Sequence, residues 1–241
     1  MKIPTDQLIM GAHAIREVLR HARDRIIAVY TAQKQNELVQ ECLNKKVPLI
    51  HHSFDALTKM VESDSHQSFV AHIKGRKFYD IQEFLEDREN GFVLMLDQIF
   101  DPQNFGALLR SAECFGSDGV IWSKNRGCDL TPTVAKTSCG ASELLPLLRI
   151  SNLANAVDQF KKAGYEIVAA LADPKAEPYY QRPYESRTML IVGSEGEGIQ
   201  PLLRKKADRA IFIPMVGKIE SLNVAQATSV LLSWKDRPLK R

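Results

Sequence analysis

The 241-residue chain is predicted to be an α/β protein with a mostly parallel C-terminal sheet carrying helices on both faces, preceded by a smaller N-terminal α/β domain. Three observations carry this. In the second part, six apolar, β-branched runs alternate with helices or turns, the pattern of strands buried on both faces. The first part alternates shorter helices and strands. Composition also breaks near residue 77: up to Lys77 there are 12 Lys+Arg against 8 Asp+Glu, and afterwards 20 against 21. All six histidines (His13, His21, His51, His52, His66, His72) precede Phe78. The stretch KGRKFYDIQEFLEDRENG passes from basic to acidic as a connecting helix would, so domains are expected at 1–77 and 91–241, with a linker helix over 78–90.

Along the first part, GAHAIREVLRHA reads as a helix with Ile15, Val18 and Leu19 on its apolar face, RIIAVYTA as a strand and ELVQECLNKK as a helix. VPLIHH, FDALTKMV and SFVAHI follow as strand, helix and strand. His51, His52 and His66 fall at strand ends or loops, where surface histidines are expected and hydrogen bonding to RNA is the alternative. The +4 balance suits a solvated surface and a nucleic-acid patch alike.

In the second part the strands are FVLMLD, GVIWS, ELLPLLRI, YEIVAAL, TMLIVG and AIFIP. A helix after the first of them should turn Phe105, Leu108, Leu109, Ala112 and Phe115 to the sheet. Thr131 before Pro132 reads as an N-cap with proline at the first helical position, and Ser151 as the cap of a helix that stops at Gly164.

At 27.1 kDa, with 44% hydrophobic and 25% charged residues, the chain can bury a core without covalent staples. Behind its first lysine, MKIPTDQLIMGAHAI has no sustained apolar run, and no later run approaches the roughly 20 residues that span a bilayer. A cytoplasmic chain without membrane association is expected. Cys42, Cys114, Cys128 and Cys139 form no C-x-x-C, so buried thiols are expected rather than disulfides or zinc ligands, and no metal is indicated.

The chemistry concentrates in two segments, TMLIVGSEGEGI (188–199) and AIFIPMVGKIESLNVAQA (210–227). Each runs from an apolar strand through a glycine-bearing polar loop toward a helix. That builds two concave backbone surfaces at strand carboxyl ends, where open α/β sheets bind nucleotide-like ligands. Gly193, Gly196 and Gly198 come late in the chain and are interleaved with Glu195 and Glu197, which repel a pyrophosphate and suit a cation. With no early G-x-G-x-x-G, a nicotinamide-dependent oxidoreductase is disfavoured.

A third loop, LMLDQIFDPQNFGALLRSAECFG, places Asn104 at a helix start and Arg110 nearly two turns along. Separately, Asn104 and Ser221 are accounted for as helix caps, Arg110 as a solvated arginine, and Gly193, Gly196 and Gly217 as turn residues. Together, D-x-x-x-D-P-x-N-x-G-x-x-x-R beside the other two loops is more particular than that.

DQIFDPQNFGALLR, IVGSEGEGI and IPMVGKIESLNVA resemble the three ordered motifs of the SpoU (TrmH-like) family of S-adenosylmethionine-dependent RNA ribose 2′-O-methyltransferases, within the SPOUT superfamily. LTPTVAKTSCGASELLPLLRISNLANAVDQFKKAGYEIVA resembles the ribosomal RNA guanosine 2′-O-methyltransferase branch. GAHAIREVL and SHQSFVA resemble that branch's L30e-like RNA-binding domain, so nearly the whole chain is covered. The resemblance implies a C-terminal trefoil knot, S-adenosyl-L-methionine bound in it, a homodimer, and methylation of a guanosine ribose in 23S ribosomal RNA. It also implies cofactor contacts at Gly193, Gly196, Ile213, Met215 and Leu222, and a reacting constellation of Asn104, Arg110, Glu195, Ser221 and Asn223.

Transfer RNA as substrate, and a catalytically silent RNA-binding assembly factor, are the alternatives; intact Asn104, Arg110 and Asn223 argue against the second. The chain departs from the family pattern at Ala225, where a second serine is common after S-L-N-V, and at Ser68, where glycine is usual after His-Gln. No histidine lies in the C-terminal domain to take the 2′-proton, and a guanidinium stays protonated. Arg110 is therefore expected to fix a phosphate and stabilise the developing alkoxide, and Glu195 to organise its loop.

Overall fold

The computed structural model describes residues 3–86, 91–173, 175–219 and 221–235. In chain order the elements begin β1 (Leu8–Met10), α1 (Ala12–His21), β2 (Ile26–Thr31), α2 (Glu37–Asn44), β3 (Leu49–His51), α3 (Phe54–Val61) and β4 (Phe69–Ile73). They continue α4 (Ile81–Glu86), β5 (Gly91–Asp97), α5 (Pro102–Cys114), β6 (Gly119–Ser123), α6 (Pro132–Thr137), β7 (Leu147–Ile150) and α7 (Leu153–Lys162). The last are β8 (Glu166–Ala170), β9 (Glu177–Pro178), β10 (Arg187–Gly193), α8 (Pro201–Lys206), β11 (Arg209–Phe212) and α9 (Val224–Leu232). Packing divides the chain into two compact units, Met1–Lys77 with Asp129–Leu144, and Phe78–Cys128 with Leu145–Arg241. No described helix is long and apolar enough to cross a membrane.

In the first unit the sheet order is β1-β4-β2-β3, with β2 parallel to β3 and β4 antiparallel to β1 and β2. Alternation along β1 sends Ile9 to one core with Ile15, Val18, Leu19 and Leu38, and sends Leu8 and Met10 to a second core with Leu57 and Val61. β1 was not anticipated, because three residues are too few to display a period.

The segment 129–144 belongs to this unit although the sequence places it between strands of the other. Ala135 is buried in the α1 core. A Cβ on Gly140 would stand 2.9 Å from the Ala14 carbonyl oxygen, and Gly140 has φ +87°. The division expected at 1–77 and 91–241 changes accordingly. α4, expected in a linker over 78–90, packs Ile81 and Phe84 into the second unit's core, and residues 87–90 of that linker lie outside the described residues.

The fully buried Glu143 carboxylate anchors this segment. It pairs with Arg76, lies 3.2 Å from an Arg25 guanidinium nitrogen and accepts the Ser142 hydroxyl at 3.0 Å. ELLP is therefore not part of a strand: Ala141–Glu143 is one 3₁₀ turn, and β7 begins at Leu147.

His66, expected at the surface, is fully buried. Its Nδ1 accepts the Ser68 N–H at 3.0 Å, and its Nε2 lies 3.0 Å from the Thr58 hydroxyl. Ser68 has φ +66°, a left-handed backbone that glycine takes at less cost. Of the thiols expected to be buried, Cys42 is buried, Cys114 is exposed and Cys128 and Cys139 are intermediate; all four are free. Burial, helped by Glu41, raises the Cys42 pKa to about 11.

The second unit's sheet has the order β7-β6-β5-β10-β8-β11-β9, and every strand pairing in it is parallel. All carboxyl ends therefore lie along one edge. β5 and β10 are paired from Arg187↔Gly91 to Gly193↔Asp97, and β5 is buried throughout. One face packs Phe84, Val157, Phe160 and Tyr165 on Met95, Ile121 and Ile191.

α5 buries Phe105, Leu108, Leu109 and Ala112 and packs on α9. Phe115 instead forms the α5 C-cap and is half-buried, since the helix ends before a further turn reaches the sheet. α7 is capped by Asn152, not Ser151: its side chain accepts the Asn155 N–H at 3.0 Å. Thr131 caps α6 as expected. The unanticipated β9 is a two-residue edge strand ending in Pro178, a position where proline interrupts no ladder on its outer side.

Two outcomes follow for the first unit. Glu143→Ala leaves two guanidinium groups without their carboxylate and is expected to destabilise it by about 3–5 kcal/mol in urea melts. Burial lowers the pKa of His66, with Asp64 opposing and Lys136 assisting. The unfolded chain, with an imidazole pKa near 6.5, then takes up more protons on acidification. Stability is expected to be complete above about pH 6.5 and to fall as pH drops below it toward the folded pKa. Denaturant melts from pH 7.5 to 5.5 measure this, and His66→Gln should flatten the dependence.

Candidate active site

The site is built at the carboxyl ends of β8, β10 and β11. After Gly193 the chain folds straight back on itself: Ser194 and Gly198 form an isolated bridge, and the Gly198 N–H donates to the Ser194 carbonyl at 3.0 Å. A Cβ on Gly193 would lie 2.2–2.4 Å from the Gly198 carbonyl group and the Ile199 nitrogen, which excludes any side chain. Gly196 and Gly198 supply the turn, with φ +92° and +68°. The loop is tied at its far end by Asp97, which is fully buried and accepts the Gln200 N–H at 2.7 Å and its side-chain amide at 2.6 Å.

This loop carries Glu195 to a junction of three motifs. Glu195 Oε1 accepts Asn223 Nδ2 at 2.6 Å, Asn104 Nδ2 at 3.3 Å and the Val224 N–H at 3.3 Å. Asn223 Nδ2 also donates to Asn104 Oδ1 at 2.9 Å. Asn223, not Ser221, is the N-cap of α9, its Oδ1 accepting the Ala225 N–H at 2.9 Å. Nor does Asn104 cap α5: Asp101 does, accepting the N–H groups of Gln103 and Asn104. That leaves the Asn104 side chain free to cross to Glu195. A carboxylate beside the first N–H of α9 is also favoured by the helix dipole.

Next to the junction opens a cavity of about 410 Å³, within the range of small-molecule sites. Gly193, Glu195, Gly196, Ile213, Met215, Ser221, Leu222 and Asn223 all line it, so eight of the ten sequence-expected residues share one site. Asn104 reaches it through Glu195. Arg110 does not line it: it is exposed on α5 and makes no hydrogen bond or ion pair among the described residues. Gly217 lacks the positive φ or close approach that would require glycine.

Sequence reading missed the wall formed by Ala170, Leu171 and Ala172 at the end of β8, and by Thr228 and Leu231 of α9. The rule placing ligands at strand carboxyl ends was the available signal for the first group. The second needed the return of α9 over the sheet. Apolar walls, main-chain edges of adjacent strands and one carboxylate make a chemistry suited to an adenosine-like group bearing a positive charge. No cluster of three or more His, Cys, Asp or Glu that would hold a metal occurs among the described residues.

Comparison with known proteins agrees with this geometry. The model of the SpoU rRNA methylase family matches residues 91–233, and that for RNA 2′-O ribose methyltransferase substrate binding matches residues 8–79. The 23S rRNA (guanosine-2′-O-)-methyltransferase RlmB of Photobacterium profundum is 34% identical over 95% of this chain and 96% of its own length. The Haemophilus influenzae protein of the same name is 34% identical over 93% and 94%. Among solved structures, the SpoU methyltransferase AviRb of Streptomyces viridochromogenes, in complex with AdoMet, superposes with a TM-score of 0.77 at 23% identity, covering 94% of this chain and 87% of its own. With both units matched and Asn104, Glu195 and Asn223 joined at the cavity, the chain belongs to the SpoU rRNA methylase family.

Proposed function

We propose that this protein transfers a methyl group from S-adenosyl-L-methionine to the ribose 2′-hydroxyl of a specific guanosine in 23S ribosomal RNA. The observation that carries the reading is the junction of Asn104, Glu195 and Asn223 at the rim of the 410 Å³ cavity. The relatives named for this reaction, matched over nearly their whole length, support the choice of substrate.

Gly193, Gly196, Ile213, Met215 and Leu222 would hold the cofactor, through main-chain groups and apolar walls. When bound, S-adenosyl-L-methionine supplies an electrophilic methyl carbon on a positively charged sulfur. Glu195 serves as an organiser: one of its oxygens already accepts three N–H groups. Asn104 and Asn223 are thereby held in fixed orientations beside the reacting hydroxyl, and Ser221 adds a hydroxyl at the same rim. Arg110, exposed and unengaged, is the group that seats an RNA phosphate and stabilises the developing 2′-alkoxide. No histidine occurs after residue 72 to take the 2′-proton.

Four further features belong to this reading. The passage from β10 to α9 is threaded as a trefoil knot, a topology that rests on membership of the SpoU family. Two copies pair, supported by the exposed Val216 and Ile219 beside the cavity wall, which sedimentation at micromolar concentration tests. The N-terminal unit is an L30e-like RNA grip, supported by the substrate-binding match to residues 8–79, and the protein works in the cytoplasm, where ribosomal RNA is processed.

Mapping ribose methylation across ribosomal and transfer RNA in a deletion strain and its complemented parent tests the function. Loss at one 23S guanosine is expected, and loss confined to transfer RNA would replace the substrate. Arg110→Lys is expected to lower the single-turnover rate at saturating RNA by about 10²- to 10³-fold while leaving S-adenosylhomocysteine affinity unchanged. Gly193→Ala, which must displace the loop, is expected to weaken S-adenosylhomocysteine binding about 10- to 100-fold by calorimetry.

A further inference from the structure

A second cavity, of about 350 Å³, opens on the same unit over the carboxyl ends of β6 and β7. Ser123, Asn125, Arg126 and Ser151 contribute its polar wall, and Leu202 and Leu203 an apolar one. It differs from the first cavity in sign. Glu195 marks the first, whereas no residue lining the second carries a carboxylate and Arg126 is its one charge. Lys124, exposed two residues before Arg126, adds a second cation to the same loop.

Arg126 is held in place. One of its terminal nitrogens donates to Gln200 Oε1 at 2.9 Å, and Gln200 is bound twice by the buried Asp97. Asp97 pairs in register with Gly193, so this arginine is fixed to the framework that positions the Glu195 loop. A guanidinium has five N–H donors, and a single bond to Gln200 leaves donors for an anion. The adjoining loop presents an aromatic ring. Phe100 is 61% exposed, and its neighbour Ile99 accepts the Cys128 N–H at 2.7 Å, tying the 99–101 and 124–128 loops together. An exposed phenyl ring on a loop bonded to the one that carries two cations and a cavity wall is a combination suited to unpaired nucleotides: phosphate on the cations, base on the ring.

Resting on the RNA methyltransferase reading above, we infer that this cleft holds a single-stranded stretch of the RNA substrate next to the modified nucleotide, with a backbone phosphate on Arg126 and a base stacked on Phe100. The cleft is a positioning site. It touches neither the cofactor cavity nor the Asn104–Glu195–Asn223 junction, and acts by fixing the strand relative to them.

The test is fluorescence anisotropy of a labelled, mixed-sequence 12-nucleotide single-stranded RNA from 50 to 300 mM salt, with S-adenosylhomocysteine calorimetry on each protein. Arg126→Ala is expected to reduce the slope of log affinity against log salt by about 0.7, the value for one phosphate on a single strand. Arg126→Lys should keep the slope. Phe100→Ala is expected to weaken binding about 5- to 100-fold without changing the slope. Cofactor-product affinity should stay at the wild-type value in all three. Wild-type affinity and slope in both alanine variants would overturn the proposal, as would wild-type protein that fails to bind the oligonucleotide at low salt. If Arg126→Ala disturbs the Gln200 anchor and loses S-adenosylhomocysteine binding, Phe100→Ala decides alone, and unchanged affinity there is the overturning result. Wild-type protein that methylates RNA while the variants are unaffected sinks the cleft alone; wild-type protein that binds no S-adenosylhomocysteine sinks the methyltransferase reading.

Discussion

The functional end of this protein depends on one close approach, the fold-back of the chain onto the carboxyl end of β10. It is possible only because Gly193 has no side chain: a Cβ would overlap the Gly198 carbonyl group at 2.2–2.3 Å. With the loop pressed down, Gln200 reaches the buried Asp97 on the adjacent strand, and Glu195 is delivered to Asn104 and Asn223. Each of those bonds joins residues about 30 to 100 positions apart. The parallel sheet makes this possible by bringing every strand's carboxyl end to one edge.

Helix capping around the site follows a consistent economy of polar groups. Asp101 satisfies the first N–H groups of α5, which frees Asn104 three residues later to act across the site. Asn223 does two things at once, capping α9 with its oxygen and bridging Glu195 and Asn104 with its nitrogen. A serine or aspartate there would keep the cap and lose the N–H donors, because only an amide has both. In the N-terminal unit, a single buried carboxylate, Glu143, fastens a segment that comes from between β6 and β7.

Much of the molecule is legible in its sequence. The long, periodic elements α1, β2, β5, α5 and β10 stand where apolar spacing puts them, because burial of a face imposes a period on sequence. Elements without room for a period were missed, β1 and β9 among them. Boundaries failed where two residues competed for one role: Ser151 and Asn152 are both competent caps, and only the bond to Asn155 decides between them. His66 was misplaced because its sequence neighbours are polar while its spatial neighbours, Thr58 and Phe54, come from a helix that folds over it.

By itself the sequence determined the α/β class, the parallel sheet and the identity of the motif residues, since these rest on local periodicity and on residue types kept together in short stretches. Tertiary structure alone decided that one Glu195 oxygen accepts three N–H groups, that Asn223 rather than Ser221 caps α9, that Asp129–Leu144 packs with the N-terminal unit, and that Arg126 lines a second cavity without a carboxylate. The reason is the same in each case. A side chain's partners are set by where distant strands end and which loops their register brings together, and that geometry is written in no single stretch of chain.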